Sequence, residues 1–121
     1  MDCVFCKIIN GDIPSYKIYD DDIVMCFLDI NPDSNGHALI IPKNHYKDLD
    51  DIDINTLTHI MDVAKKIKKL LEEKLNIDGL TLIQNNGEVE EVKHFHLHLK
   101  PFYKDNNNLN DVKDIYDILS K

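Results

Sequence analysis

The stretch Lys93 to Pro101 reads KHFHLHLKP and sets three of the chain's six histidines, His94, His96 and His98, at alternate positions. Imidazole serves as a metal ligand, as a proton carrier near neutral pH, or as a nitrogen nucleophile. The run by itself leaves those three open. In a strand, residues two apart leave the same face, so the rings line up at steps of about 7 Å, with Phe95, Leu97 and Leu99 facing the other way. A half-exposed strand face would be served as well by threonine or lysine, so three imidazoles opposite three large apolar residues point to function. A second constellation sits near the N-terminus. Cys3 and Cys6 have the C-x-x-C spacing that brings two thiolates to one cation, although two such cysteines can equally be small buried hydrophobes. Cys26, inside the apolar run IVMCFL, reads as core.

These residues need elements to hold them. VFCKIIN at 4–10 predicts a short helix stopped by Gly11 and Pro14, and strands are expected at 15–19 and 23–28 around a DDD turn at 20–22. NPDSNG at 31–36 is a loop by its turn residues, and HALIIP at 37–42 a third strand. The clearest periodicity predicts a helix over 54–75, with Leu57, Ile60, Met61, Ala64, Ile67, Leu71 and Leu75 on its core face. Its charged face, which includes His59, reads as wetted surface with no role. Gly79 is placed to close that helix. LTLIQ and HFHLHL supply two more strands, DNNNLND at 105–111 reads as a solvated connection, and a last helix is expected over 110–119. Strands and helices in separate runs with short links indicate an α+β domain around a largely antiparallel sheet.

Composition narrows the functions. At 121 residues and 43% hydrophobic, the chain suits one domain with a real core and has no room for a second. With 14 basic against 22 acidic side chains and a formal charge of -8, it is a poor electrostatic match for nucleic acid or an anionic membrane. The N-terminal MDCVFCKIING lacks a signal-peptide pattern, and no apolar run reaches the length of a membrane span. Three cysteines make no disulfide framework, so a soluble, cytoplasmic protein with reduced thiols is expected.

HFHLHLKP resembles the His-x-His-x-His signature of the histidine triad (HIT) family, and CVFCKIINGDIPSYKIYDDD, FLDINP and GHALIIPKNH resemble its other segments in the same order. The resemblance spans about residues 3–103, leaving 104–121 as a C-terminal extension of the single domain, and is closest to the bacterial, Hint-like branch. It implies a five-stranded antiparallel sheet with one long helix and a short N-terminal helix, and a homodimer with a ten-stranded sheet. The implied activity is hydrolysis at the α-phosphate of purine nucleoside phosphoramidates or related nucleotides through a nucleotidyl-histidine. Carried over residue by residue, His96 is the nucleophile, His98 steadies the phosphoryl oxygens and His37 is the fourth histidine of the row. Asp29 meets the ribose hydroxyls, and Phe5, Ile8, Phe27 and Ile30 match the purine pocket, or are ordinary core. Cys3, Cys6, His45 and His94 match a structural zinc site, whose closed set of ligands leaves no position for substrate.

One segment departs from the family. Where its members carry a Gly-Gln-Ser/Thr run aimed at the phosphates, this chain has NNGEVEEVKH, about two residues shorter, with Glu90 and Glu91 near the donor positions. A carboxylate within about 4 Å of a phosphate charge costs up to about 4 kcal/mol at an effective dielectric near 20, so those glutamates are expected to point elsewhere. Asn85, with Lys93, is expected to supply part of the missing donor set. The alternatives are dinucleoside polyphosphate hydrolysis, nucleotidyl transfer, a zinc-stabilised nucleotide-binding dimer with little turnover, or a metal-binding protein whose histidine row captures two cations.

Overall fold

The structure, a computed structural model, describes residues 3–89, 92–105 and 108–121. VMCFL and ALIIP are unbroken apolar runs, as suits strands covered on both faces, and every residue of Val24–Leu28 (β2) and Ala38–Pro42 (β3) is buried. Both faces of these strands are covered. Val24, Cys26, Leu28, Ala38 and Ile40 pack with Ile60, Val63, Ala64, Ile67 and Leu71 of the helix Ile54–Leu75 (α2). On the other face, Met25, Phe27, Leu39 and Ile41 pack with Cys3 and Phe5, the latter on the short helix Val4–Ile9 (α1). Burying each of these large apolar side chains contributes about 1.5–3 kcal/mol, which is why two modest clusters suffice to fix the sheet.

The sheet is antiparallel throughout and runs β1-β2-β3-β5-β4, with β1 at Lys17–Asp20, β4 at Gly79–Ile83 and β5 at Leu97–Phe102. The expected α+β class and five-stranded sheet are therefore what the chain adopts. The last helix, α3, is Val112–Leu119 and starts at its N-cap Asp111, whose carboxylate accepts the Lys113 N–H. No helix among the described residues is long and apolar enough to cross a membrane.

Five local expectations differ. The strand expected over HFHLHL starts only at Leu97, so His94 and His96 lie in its lead-in and not in the sheet. The long helix ends at Asn76, which takes the left-handed conformation (φ 53°) expected of Gly79; Gly79 instead opens β4. Met61 is 44% exposed and Val63 fully buried, because the apolar stripe drifts across a helix of 22 residues. His59 is not idle surface: its Nε2 lies 2.7 Å from Asp21 Oδ2, and Tyr19 donates to the same oxygen at 2.8 Å, tying α2 to the β1–β2 turn. The Asp21 carboxyl is held well below the usual range, overcoming its partial burial, by the Val24 and Ile23 amides and by His59. Finally, 105–111 is exposed in its described residues but is no slack connection, since Asn108 and Asn110 both bond Asn35.

Candidate active site and metal centre

Strand parity assembles the site. Met25 and Phe27 face α1, so Asp29, two residues further, leaves on the same side; Leu39 and Ile41 do likewise, which places His37 there. In β5, Leu97 and Leu99 join the α2-side cluster and His98 takes the opposite face, in register with Leu39. His94 and His96 precede the first β5 residue. The Phe95 N–H donates to the Tyr46 carbonyl at 2.7 Å, which keeps this lead-in segment beside the chain that leaves β3. The row is more deeply sunk than a half-exposed strand face: His37, His94 and His96 are buried, and Phe5 closes edge-on over His96 at 4.9 Å between ring centroids.

Backbone groups decide which ring nitrogens carry protons. The Asp33 amide donates to His37 Nδ1 at 3.1 Å, and an amide N–H cannot accept, so the proton of the neutral His37 ring is on Nε2. That Nε2–H donates to His98 Nδ1 at 3.0 Å, which puts the His98 proton on Nε2. His96 Nδ1 lies 2.8 Å from the His94 carbonyl oxygen, which can only accept; Nδ1 therefore holds the hydrogen and Nε2 the lone pair. Burial lowers the pKa of His37, against the nearby Asp29 and Asp33 charges, and pulls His98 down to about 4, helped by His96 and His37. Both rings are neutral at physiological pH. Asp29 Oδ2 stands 3.6 Å from His37 Nε2, and its Oδ1 accepts the Asn31 N–H at 2.9 Å.

The thiols lie at the other end of the row. His94 Nε2–H donates to the Pro42 carbonyl at 2.8 Å, so its lone pair is on Nδ1, 3.3 Å from Cys3 Sγ and 3.6 Å from Cys6 Sγ. His45 Nδ1 is 3.3 Å from Cys6 Sγ, and all four donor atoms fall within 4.8 Å of one another. A tetrahedral zinc with bonds of about 2.3 Å to sulfur and 2.0–2.1 Å to nitrogen has sulfur-to-nitrogen edges of about 3.6 Å. The donor types and their spacing fit that metal, and burial brings the His94 pKa down to about 4, keeping the ring neutral as ligation requires. Cys26 is fully buried core and its thiol is pushed up by that burial.

The remaining expected residues divide. Phe5 and Phe27 are buried and meet edge-on at 5.8 Å, and Ile8 is half-buried against the same cluster, whereas Ile30 is 71% exposed and is not core. Asn85 and Lys93 line a cavity with Lys47, Asp48, Asn86 and Gly87, a lining that includes none of the histidines, and Lys93 Nζ bonds the Gly87 carbonyl. Glu90 and Glu91 lie outside the described residues. Sequence reasoning missed Asp33 and the carbonyls of Pro42 and His94, because each acts through a backbone group that residue type does not advertise.

The sequence pattern of the HIT domain matches residues 10–105. The chain belongs to the HIT family. It is 44% identical over 104 residues to an uncharacterized HIT-like protein from Methanocaldococcus jannaschii, covering 84% of this chain and 80% of that protein. It is 45% identical over 101 residues to an adenosine 5'-monophosphoramidase of Saccharomyces cerevisiae, covering 82% of this chain and 61% of that protein. Among solved structures, a Zn-bound histidine triad family protein from Mycobacterium smegmatis superposes with a TM-score of 0.90 at 35% identity, over 99% of this chain and 91% of that one. A HIT family protein from Bacillus anthracis gives a TM-score of 0.84 at 41% identity, over 90% of this chain and 79% of that one. The family assignment made from the four sequence blocks is thus correct.

Proposed function

We propose that this HIT protein is a nucleotide hydrolase that cleaves purine nucleoside phosphoramidates at the α-phosphorus, with His96 as nucleophile. The observation that carries the reading is the hydrogen bond from His96 Nδ1 to the His94 carbonyl, which puts the ring hydrogen on Nδ1 and makes Nε2 the lone-pair nitrogen. In the first step Nε2 forms a bond to phosphorus, the P–N bond to the leaving amine breaks, and the amine takes a proton from water. The nucleotidyl-imidazolium so formed keeps its Nδ1–H on a carbonyl oxygen, a dipole placed to offset the new positive charge. Water then displaces the imidazole, giving the nucleoside monophosphate and the neutral ring. His98, with its proton on Nε2, donates to the phosphoryl oxygens while His37 holds it in that form. Asp29 receives the ribose hydroxyls, and Phe5, Ile8, Phe27 and Ile30 border the purine. Asn85 contributes to the phosphate loop. The yeast phosphoramidase and an adenylylsulfatase of Arabidopsis thaliana, 39% identical over 102 residues, support a nucleotide with a group on its α-phosphate as the substrate class.

Cys3, Cys6, His45 and His94 hold a structural zinc ion, which supplies a cross-link between α1 and the chain after β3. Thiol ligands of this kind suit the reducing cytoplasm. The chain acts as a homodimer, with residues 1–121 as one HIT domain. Incubation with an AMP-amine phosphoramidate tests the reading: release of AMP is expected from the wild type and not from His96→Ala. Equal, slow release from both, with AMP still bound, would favour a nucleotide-binding dimer instead.

A further inference from the structure

The loop between β2 and β3 is tied down at four successive residues. Asp33 Oδ2 pairs with Lys100 Nζ at 2.6 Å, and the Ser34 hydroxyl donates to the Pro101 carbonyl at 2.6 Å. Gly36 has φ +89°, and a Cβ there would lie 2.7 Å from Leu75 Cδ1 and 3.0 Å from Leu71 Cδ2, so the backbone is seated directly on α2. Asn35 makes the largest number of bonds. Its Nδ2 donates to the Asn108 carbonyl and to Asn110 Oδ1, both at 3.0 Å; its Oδ1 accepts the Asn110 amide at 2.8 Å; its own carbonyl accepts the Tyr103 hydroxyl at 2.6 Å. Both side-chain N–H hydrogens and one acceptor direction are therefore used on a segment more than seventy residues away in sequence. Asn108 and Asn110 lie beyond residue 105, where the match to the HIT domain ends.

A solvent-facing turn requires no such tether, but a loop that meets a buried histidine does: the Ser34 carbonyl accepts the His37 backbone N–H at 3.1 Å, and the Asp33 amide reaches its ring. Among the described residues the Asp33 amide is the sole hydrogen-bond partner of His37 Nδ1. We propose that Asn35 is a positioning residue: by tying the 33–36 loop to the C-terminal segment, it holds the Asp33 amide on His37 Nδ1 and so fixes which nitrogens of His37 and His98 carry their protons. If the loop slackens by about 1 Å, the 3.1 Å bond is lost and His37 can move its proton to Nδ1. His37 Nε2 and His98 Nδ1 would then face each other with two lone pairs across 3.0 Å. His98 relieves that repulsion by taking its proton on Nδ1, and so loses the Nε2–H donor. The effect on turnover rests on the reading given under Proposed function; the effect on the two rings does not.

The test uses the full-length, zinc-loaded chain with 15N-labelled histidine, combining ring-nitrogen NMR with phosphoramidate kinetics. In wild type, His37 and His98 are expected to be Nε2–H tautomers. Asn35→Ala is expected to give mixed tautomers at both rings, unchanged zinc content, and a kcat lower by roughly 10- to 100-fold with KM altered less than about twofold. A second pair leaves the loop itself intact: Asn110→Ala removes one acceptor of Asn35, whereas Asn110→Asp keeps it. The first should shift the tautomers part-way and the second should restore them. Wild-type ring nitrogens in Asn35→Ala, or, should that variant not fold, the same tautomers in Asn110→Ala and Asn110→Asp, would overturn the proposal. A wild type without turnover whose tautomers still respond to Asn35→Ala would sink the hydrolase reading and leave this one standing.

Discussion

Two groups of potential ligands flank His96, and they look alike by distance alone. Cys3, Cys6, His45 and His94 form one, and Asp29, His37 and His98 the other; in each, all the donor atoms lie within 4.8 Å. Their hydrogen bonds separate them. In the first, the His94 N–H is spent on the Pro42 carbonyl, so His94 Nδ1 meets the two sulfurs as a lone pair, with only weak thiol hydrogens to share. In the second, an amide and two imidazoles form a continuous chain of N–H donors and nitrogen acceptors. A cation there would have to displace the His37 Nε2–H, which would put a proton on Nδ1 against the Asp33 amide. Proximity of donor atoms therefore does not make a metal site; the direction of their protons does.

The difference can be attacked from either side. The largest effect is expected from His96→Ala, which sits between the two groups: loss of phosphoramidate turnover by several orders of magnitude, with zinc content close to wild type and stability lower by roughly 1–3 kcal/mol for the orphaned His94 carbonyl. Next comes zinc removal. A chelator, or Cys3→Ser, should lower stability by about 4 kcal/mol if free metal stands near a thousandfold above its dissociation constant, as read by denaturant unfolding with and without added zinc. The His37 and His98 tautomers should be unaltered while the chain stays folded. His37→Ala should do the reverse, leaving zinc bound while costing roughly 1–3 kcal/mol for the orphaned Asp33 amide and His98 nitrogen.

A weaker effect comes from pH. His98 is held near 4 in the folded state against an ordinary histidine value near 6.5, so as pH falls the unfolded chain binds this proton first. The contribution is fully present above about pH 6.5 and lost as pH falls through about 4. Urea midpoints measured between pH 7 and 4 should decline, and the decline should be shallower in His98→Gln. The smallest effect is expected of Lys100→Met, which removes a partly exposed ion pair with Asp33 and should change stability by less than about 1 kcal/mol.

Much of this architecture was legible beforehand because it is written in side chains. The alternating histidines, the C-x-x-C pair, the long amphipathic helix and the Gly36 turn each have a residue-type signal, and strand parity brings Asp29, His37 and His98 to one face, while His96 reaches their neighbourhood from the lead-in to β5. What was illegible is carried by the main chain. That β5 starts only at Leu97 reflects the Phe95 amide being taken by Tyr46 and the His94 carbonyl by the His96 ring, so this stretch has spent hydrogen-bonding groups a sheet would use. Gly79 looked like the helix stop because glycine favours positive φ, yet Asn76 tolerates it too and comes first. The tether from Asn35 to Asn108 and Asn110 could not be read from a run of asparagines that is indistinguishable in composition from a plain connection.

Catalysis depends on which nitrogen of the His96 ring carries the hydrogen. Ring-nitrogen NMR of the zinc-loaded wild type at neutral pH should show His96 with its hydrogen on Nδ1 and an acceptor-type, unprotonated Nε2. A hydrogen on Nε2, or a His96 nitrogen shifted by direct coordination to the metal, would contradict it.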